Sequence, residues 1–241
     1  MGVVNSQVPP LTVIEPPQVL PATGTGGDVP GPRRGRPAAV WDLDGTLTRT
    51  GTLLPFLRRV AGPAAVVRAM AVAASRDLPR HGRRSAAKAL VLQQLLGGRE
   101  LGAVDPLARD YAGRVRKTLR ADAMRLWSWH RDSGHRLVIA SASPGIYVHH
   151  LGRLLGADEV ICTEMAVVNG RLTGALKGGN CRGHEKARRV LEHLHEQPAS
   201  RVWAYANSAV DRPLLEIADI AVRVTTYRHL TLRRDTLRDD R

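Results

Sequence analysis

The sequence predicts an α/β fold, a doubly wound parallel sheet interrupted by an all-helical insertion. Three observations lead there. After Gly134, strand-length apolar runs alternate with helical stretches, the rhythm of a mostly parallel sheet covered on both faces. Before it, from about Leu53 to Trp129, the periodicity is helical only. The two regions are preceded by an apolar run that stops abruptly at the polar, glycine-containing turn Asp42-Leu-Asp44-Gly45-Thr46. In sheets of this kind ligands sit beyond the carboxyl ends of the strands, so polar residues at strand ends are the candidates for chemistry.

The elements follow in order. Residues 1–36 are rich in proline and glycine, including Pro9-Pro10, Pro16-Pro17, Gly26-Gly27 and Pro30-Gly31-Pro32; such a stretch buries little and reads as a disordered leader. Residues 37–50 and 130–226 are assigned to the sheet core, 51–129 to the helical insertion and 227–241 to a charged C-terminal tail. Within the insertion, Ser85 to Leu96 reads as a helix closed by Gly97-Gly98. Asp105-Pro106 reads as an N-cap with proline at the first helical position, opening a helix that runs to Asp132 and is terminated by Gly134. Beyond it come a strand at Arg136–Ser141, a helix capped by Ser143-Pro144 and ending near Gly156, and a strand at Glu159–Glu164. A hairpin over Val167–Leu172 turns at Asn169-Gly170. A helix at Glu185–Glu196, a strand at Arg201–Ala206, a helix at Asp211–Ala218 and a strand at Ile220–Val224 complete the alternation.

Bulk composition narrows the class. The chain has 241 residues and is 43% hydrophobic but only 4% aromatic, so its core is built from Ala, Val and Leu. Cys162 and Cys181 make no disulfide framework and have no partner at zinc-ligand spacing, which fits a reducing cytoplasm. The N-terminus lacks the basic start and apolar run of a signal peptide, and no apolar stretch approaches the length of a membrane span. The net charge of +14 points to an anionic partner. His149-His150 and the His193/His195 pair lie on helix faces without ligand partners in sequence and read as solvated. Trp127 and Trp129 read as packing residues.

The turn at Asp42 carries the chemistry. Two carboxylates two residues apart at a strand end are a costly arrangement unless a cation lies between them. The Gly45 turn is expected to free backbone N–H groups for an anion. Carboxylate, metal and phosphate together are the ingredients of aspartyl-phosphate chemistry.

These residues, Ala38-Ala-Val-Trp-Asp42-Leu-Asp44-Gly-Thr46, resemble the first motif of the haloacid dehalogenase-like (HAD) superfamily, with a Rossmann-like core, and the later motifs follow in order over about residues 37–225. An insertion directly after the first motif is similar to that of the subfamily containing phosphoserine phosphatase; Leu54-Pro-Phe-Leu57 resembles a segment of related bacterial phosphatase-like proteins. The resemblance implies a phosphomonoester hydrolase in which Asp42 is the nucleophile and Asp44 the general acid and base. It implies a phosphate site of Thr46, Ser141, Ala142 and Lys186, with Ser143 and Lys177 as competitors for the Ser and Lys roles. It implies Mg2+ held by Asp42, Asp44, Asn207 and Asp211. The fourth motif departs from the family's Gly-Asp-x-x-x-Asp: here it is Ala206-Asn207-Ser-Ala-Val-Asp211. Asn207 keeps a carbonyl oxygen but removes a charge, so magnesium binding survives at reduced affinity.

The insertion concentrates the charge, with fifteen Lys/Arg against five Asp/Glu between Arg58 and Arg125. This reads as an electrostatic funnel for a small or lipid-linked anionic phosphate ester, or as a peripheral contact with acidic lipid. Relatives that cleave phosphoserine carry a Glu nine residues after the nucleophile; Gly51 stands there in this chain, which argues against that substrate. Two alternatives stand beside the hydrolase: a catalytically weak binding protein, motivated by Asn207, and a phosphotransferase using the same intermediate. Nucleic-acid binding has charge in its favour but no motif.

Overall fold

The computed structural model describes residues 35–80 and 82–224; nearly all of the expected leader and the whole charged tail lie outside them. Six strands form one sheet: β1 (Ala38–Trp41), β2 (Arg136–Pro144), β3 (Glu159–Val168), β4 (Arg171–Lys177), β5 (Val202–Ala206) and β6 (Ile220–Arg223). Their spatial order is β4-β3-β2-β1-β5-β6, parallel throughout except for the antiparallel β3–β4 hairpin. This is the α/β, Rossmann-like arrangement expected from the strand–helix alternation.

Alternation along β1 explains the layering. Ala38 and Val40 face one side, where they meet Val190 of α7 (His184–Glu196) and Leu214 of α8 (Arg212–Glu216). Ala39 and Trp41 face the other, where they join the larger core with Trp127 of α5 (Ala121–Asp132) and Tyr147 and Leu151 of α6 (Gly145–Leu155). A central parallel strand is thus apolar on both faces, which is why the run reads as continuously hydrophobic.

The stretch between β1 and β2 is helical. It contains α1 (Leu53–Ala61), α2 (Pro63–Ser75), α3 (Arg83–Leu96), α4 (Leu101–Lys117) and α5. In α1 the residues Phe56, Leu57 and Val60 fall on one face and are buried, each fully buried side chain contributing roughly 1.5–3 kcal/mol. α3 packs on β4, and α4 on α6.

The single long helix expected from Asp105 to Asp132 is instead two helices. α4 begins at Leu101, because Leu101 donates its N–H to the Gly170 carbonyl of the hairpin turn and Glu100 bridges Arg171. Pro106 therefore lies inside the helix, where it removes one backbone bond. Asp105 caps nothing; its carboxylate accepts from His150 Nε2 at 2.7 Å. The chain breaks at Thr118–Arg120, where Thr48 bridges Leu119 and Arg120 donates to the Leu47 carbonyl. α5 then turns onto the sheet, burying Trp127 and His130. The Asn169-Gly170 turn matches expectation, with φ of 49° and 73°, both left-handed as a type I′ hairpin turn requires. Gly134 and Gly156 also terminate helices at positive φ.

Candidate active site

Asp42 is the first residue past β1, and its N–H donates to the Tyr205 carbonyl of β5 at 2.9 Å. The following turn, Leu43–Leu47, is a single wide helical turn containing Gly45 at φ 86°. Gly45 is needed for more than its φ. A Cβ there would lie 2.1 Å from the Asn207 side-chain nitrogen, so the Asn207 amide packs directly against the turn. Its N–H is not free for an anion as expected, because it donates to Thr48 Oγ1 at 3.3 Å.

The ends of β1, β2 and β5 and the first turn of α7 converge. Lys186 Nζ, fully buried, donates to Asp42 Oδ1 and to Asp211 Oδ1, each at 2.7 Å. Thr46 Oγ1 donates to Asp42 Oδ2 at 2.9 Å, and Ser208 Oγ to Asp211 Oδ2 at 2.7 Å. Burial pushes the Asp42 carboxyl upward, against the pull of Lys186. Lys186 is held above its usual range because Asp42 and Asp211 outweigh its own burial. Two carboxylates around one ammonium leave this buried group one negative charge in excess, the condition a divalent cation would relieve. The donors available, Asp42, Asp211, the Asn207 carbonyl and the Asp44 backbone, are all hard oxygens, the ligand type magnesium takes.

Asp44 lies outside that ion pair. Its Oδ1 accepts from the Thr52 N–H and Thr52 Oγ1, both at 2.7 Å, and its Oδ2 accepts from Ser143 Oγ at 2.6 Å. Ser143 was expected to cap the helix after Pro144, but α6 starts at Gly145 without a side-chain cap, and the Ser143 hydroxyl is spent on Asp44. Ser141, wholly buried within β2 where its register against β3 shifts, accepts from the Ser143 N–H at 3.1 Å, and its own hydroxyl hydrogen has no acceptor among the described residues. Lys177 ends β4, the edge strand of the sheet.

Sequence reasoning missed Thr52 and Lys88, both from the insertion. Thr52 also meets Tyr147 Oη at 2.8 Å, and its carbonyl accepts from Tyr111 Oη at 2.6 Å. Lys88 of α3 crosses to the core, donating to the Ala142 carbonyl and, at 2.7 Å, to Asn180 Oδ1. Burial lowers its pKa to about 8. A lone Lys on a helix gives no signal in sequence; its target is 54 residues away in the chain. Beside it, α1, α2 and α3 enclose a groove of about 400 Å³ lined by Leu53, Leu57, Met70, Ala87 and Val91, with Arg83 and Lys88.

His195 is exposed as expected, but the other three histidines depart from expectation. His150 and His193 are buried, not solvated, and His149 meets Glu164 and Cys162, partners that sequence spacing does not bring together. Trp127 packs in the core as expected, while Trp129 is 46% exposed. Among the described residues no helix is long and apolar enough to cross a membrane.

A model of the haloacid dehalogenase-like hydrolases matches residues 39–216. The chain is 34% identical to the protein CicA of Caulobacter vibrioides over 184 residues, 74% of this chain and 82% of that protein. It is 31% identical to a phosphoserine phosphatase of Archaeoglobus fulgidus over 121 residues, about half of this chain and 34% of that enzyme. A crystal structure of a Bordetella pertussis protein of unknown function aligns at a TM-score of 0.66 and 21% identity, over 79% of this chain and 90% of that one.

Proposed function

Because this chain belongs to the haloacid dehalogenase-like hydrolases, with a phosphatase fold similar to that of phosphoserine phosphatases, we propose that it hydrolyses phosphomonoesters through an aspartyl-phosphate on Asp42. One observation carries the reading: two carboxylates two residues apart occupy opposite environments. Asp42 is buried against Lys186, while Asp44 is held by the hydroxyls of Thr52 and Ser143. Such divergence is how a site divides nucleophile from acid–base work.

In this reading an Asp42 oxygen attacks phosphorus while Asp44 gives its proton to the departing alkoxide. Asp44 then takes a proton from water, whose oxygen attacks the acyl phosphate, releasing inorganic phosphate and restoring the Asp42 carboxylate. Thr46 fixes the Asp42 carboxylate. Lys186 and the Ser141 hydroxyl offset charge on the phosphoryl oxygens. Magnesium, held by Asp42, Asp211, Asn207 and the Asp44 backbone, would supply further charge neutralisation.

The insertion narrows the substrate. Four of its fifteen cations are paired with its own acids: Arg59 and Arg114 with Asp110, Arg109 with Asp105, Arg120 with Asp122. Among the described residues, Arg83 and Lys88 are the only charged groups lining the groove, and the rest of its wall is apolar. This supports an ester whose alcohol carries an apolar chain, a lipid-linked phosphate above a small polyanion. A magnesium-supplemented panel of phosphate esters of increasing alkyl length tests it. Turnover should rise with chain length and vanish in Asp42→Asn; an enzyme silent on every ester, or active in Asp42→Asn, defeats the reading.

A further inference from the structure

We infer that His149, Cys162 and Glu164 form a second metal site, for a zinc-type divalent cation, distinct from the oxygen-lined site at Asp42. His149 comes from the exposed side of α6, and Cys162 and Glu164, two residues apart, point the same way from β3. Their ligand atoms all lie within 4.8 Å of one another. His149 Nε2 is 2.7 Å from Glu164 Oε1, Cys162 Sγ is 3.1 Å from the same oxygen, and Sγ is 3.7 Å from Nε2. Bond lengths of about 2.0–2.3 Å to a tetrahedral zinc place neighbouring ligand atoms about 3.3–3.6 Å apart. The observed separations bracket that range, so a small outward shift of the Glu164 carboxylate accommodates the ion.

The surroundings fit an open three-ligand centre. His149 and Glu164 border a cleft of about 300 Å³ that also receives Ile146 and Met165, giving an entry path and room for a water as fourth ligand. Gly145, the first residue of α6, lies against Glu164, where a Cβ would sit 2.6 Å from its carboxylate oxygen; the helix start needs glycine there to admit the carboxylate. His150, next in sequence, is not a competitor. Its Nδ1 accepts from Arg153 and its Nε2 donates to Asp105, each at 2.7 Å. Arg189, a neighbouring cation, is committed to Glu185 at 2.6 Å and to the Cys162 carbonyl at 2.9 Å.

Donor chemistry separates the two sites. Imidazole with thiolate suits zinc and its congeners, whereas the all-oxygen set at Asp42 suits magnesium. Binding is a proton exchange: the cation forms a bond to Cys162 sulfur as the thiol proton leaves to solvent, while His149 binds through a neutral nitrogen and Glu164 as its carboxylate. The metal site also braces the phosphoryl pocket, because Thr163, between the two β3 ligands, donates toward the Ala142 carbonyl at 2.6 Å.

Cobalt reports on such a site without any turnover. Metal-free full-length protein is titrated with Co2+ in excess Mg2+, following the sulfur-to-cobalt charge-transfer absorption that only a thiolate ligand produces. One equivalent should develop the band, and Zn2+ should abolish it by displacement. Cys181→Ser should leave it unchanged and Cys162→Ser should remove it. His149→Ala and Glu164→Gln, both at half-exposed positions with the fold checked by circular dichroism, should weaken cobalt binding at least tenfold. No band in the wild-type protein, a band that survives Cys162→Ser, or unchanged affinity in both His149→Ala and Glu164→Gln overturns the site.

Discussion

At the scale of single residues, Asn207 is the departure from the family pattern with the clearest consequence. Its amide rests on Gly45, where no other side chain fits, so the position is sterically set beside Asp42 whatever its charge. Restoring the acid with Asn207→Asp should lower the magnesium concentration for half-maximal turnover, because a carboxylate replaces a neutral oxygen in a buried set. An unchanged magnesium dependence removes residue 207 from the ligand set. Ser143 offers an independent check of Asp44. Its hydroxyl makes a 2.6 Å bond to that carboxylate, and charge-assisted bonds of this kind fix orientation as well as energy. Ser143→Ala should reduce kcat roughly tenfold with little change in KM, a loss of positioning of the order expected for a misaligned acid–base group. Equal changes in both would assign Ser143 to substrate binding.

At the scale of elements, the sheet was legible because its central strands β1, β2 and β5 are buried on both faces and its turns carry Gly and Asn where positive φ is required. The residues expected at Asp42, Asp44, Lys186, Asn207 and Asp211 fall at or just past strand ends and helix starts, which periodicity locates, while Ser141 lies three residues before the end of β2, a strand longer than the Arg136–Ser141 expected. What periodicity could not give were partners set by tertiary packing. Glu100 rather than Asp105 begins α4, since the hairpin turn 70 residues later supplies the carbonyl that receives Leu101. Thr52 and Lys88 look like ordinary helix residues until α1 and α3 fold over the strand ends. The charge of the insertion was likewise legible as a sum but not as a distribution, because its pairing with Asp105, Asp110 and Asp122 depends on the fold. That distribution makes a prediction about α3. Lys88 should matter for every ester, since it reaches Ala142 beside the phosphoryl pocket, and Lys88→Met should lower kcat/KM across a substrate panel. Arg83→Glu with Arg84→Glu, at exposed positions, should raise KM for anionic esters alone, an effect that fades as salt screens beyond about 8 Å. Should the double reversal affect charged and uncharged alcohols alike, Arg83 is a scaffold residue of the groove.

At the scale of the whole molecule, α5 is tied to the sheet by an aromatic cluster around one histidine. His130 is fully buried. Its Nε2 meets Tyr205 Oη and its Nδ1 meets His135 Nδ1, both at 2.8 Å. Trp41 stacks on Tyr205 at 3.7 Å and lies edge-on to His130. Burial, with the neighbouring His135 adding repulsion, lowers the His130 pKa to about 3. The unfolded chain takes up a proton near pH 6.5 that the folded chain refuses, so stability rises with pH through the interval from about 3 to 6.5 and is lost as pH falls through it. The slope is at most about 1.4 kcal/mol per pH unit for one such group. His135, also lowered by burial and by Arg201 and Arg36, acts in the same direction. Asp42 opposes them, because a carboxyl raised in the folded state costs stability as pH rises through its window; only a difference measurement isolates the histidine. Urea denaturation of wild type and His130→Gln between pH 4 and 8 supplies it. The variant should be less stable at pH 8, where the buried pairing is disturbed, yet lose less on acidification, so that the two curves converge toward pH 4. Parallel curves would mean that His130 is protonated at no cost in the folded protein and that the cluster is held by packing alone.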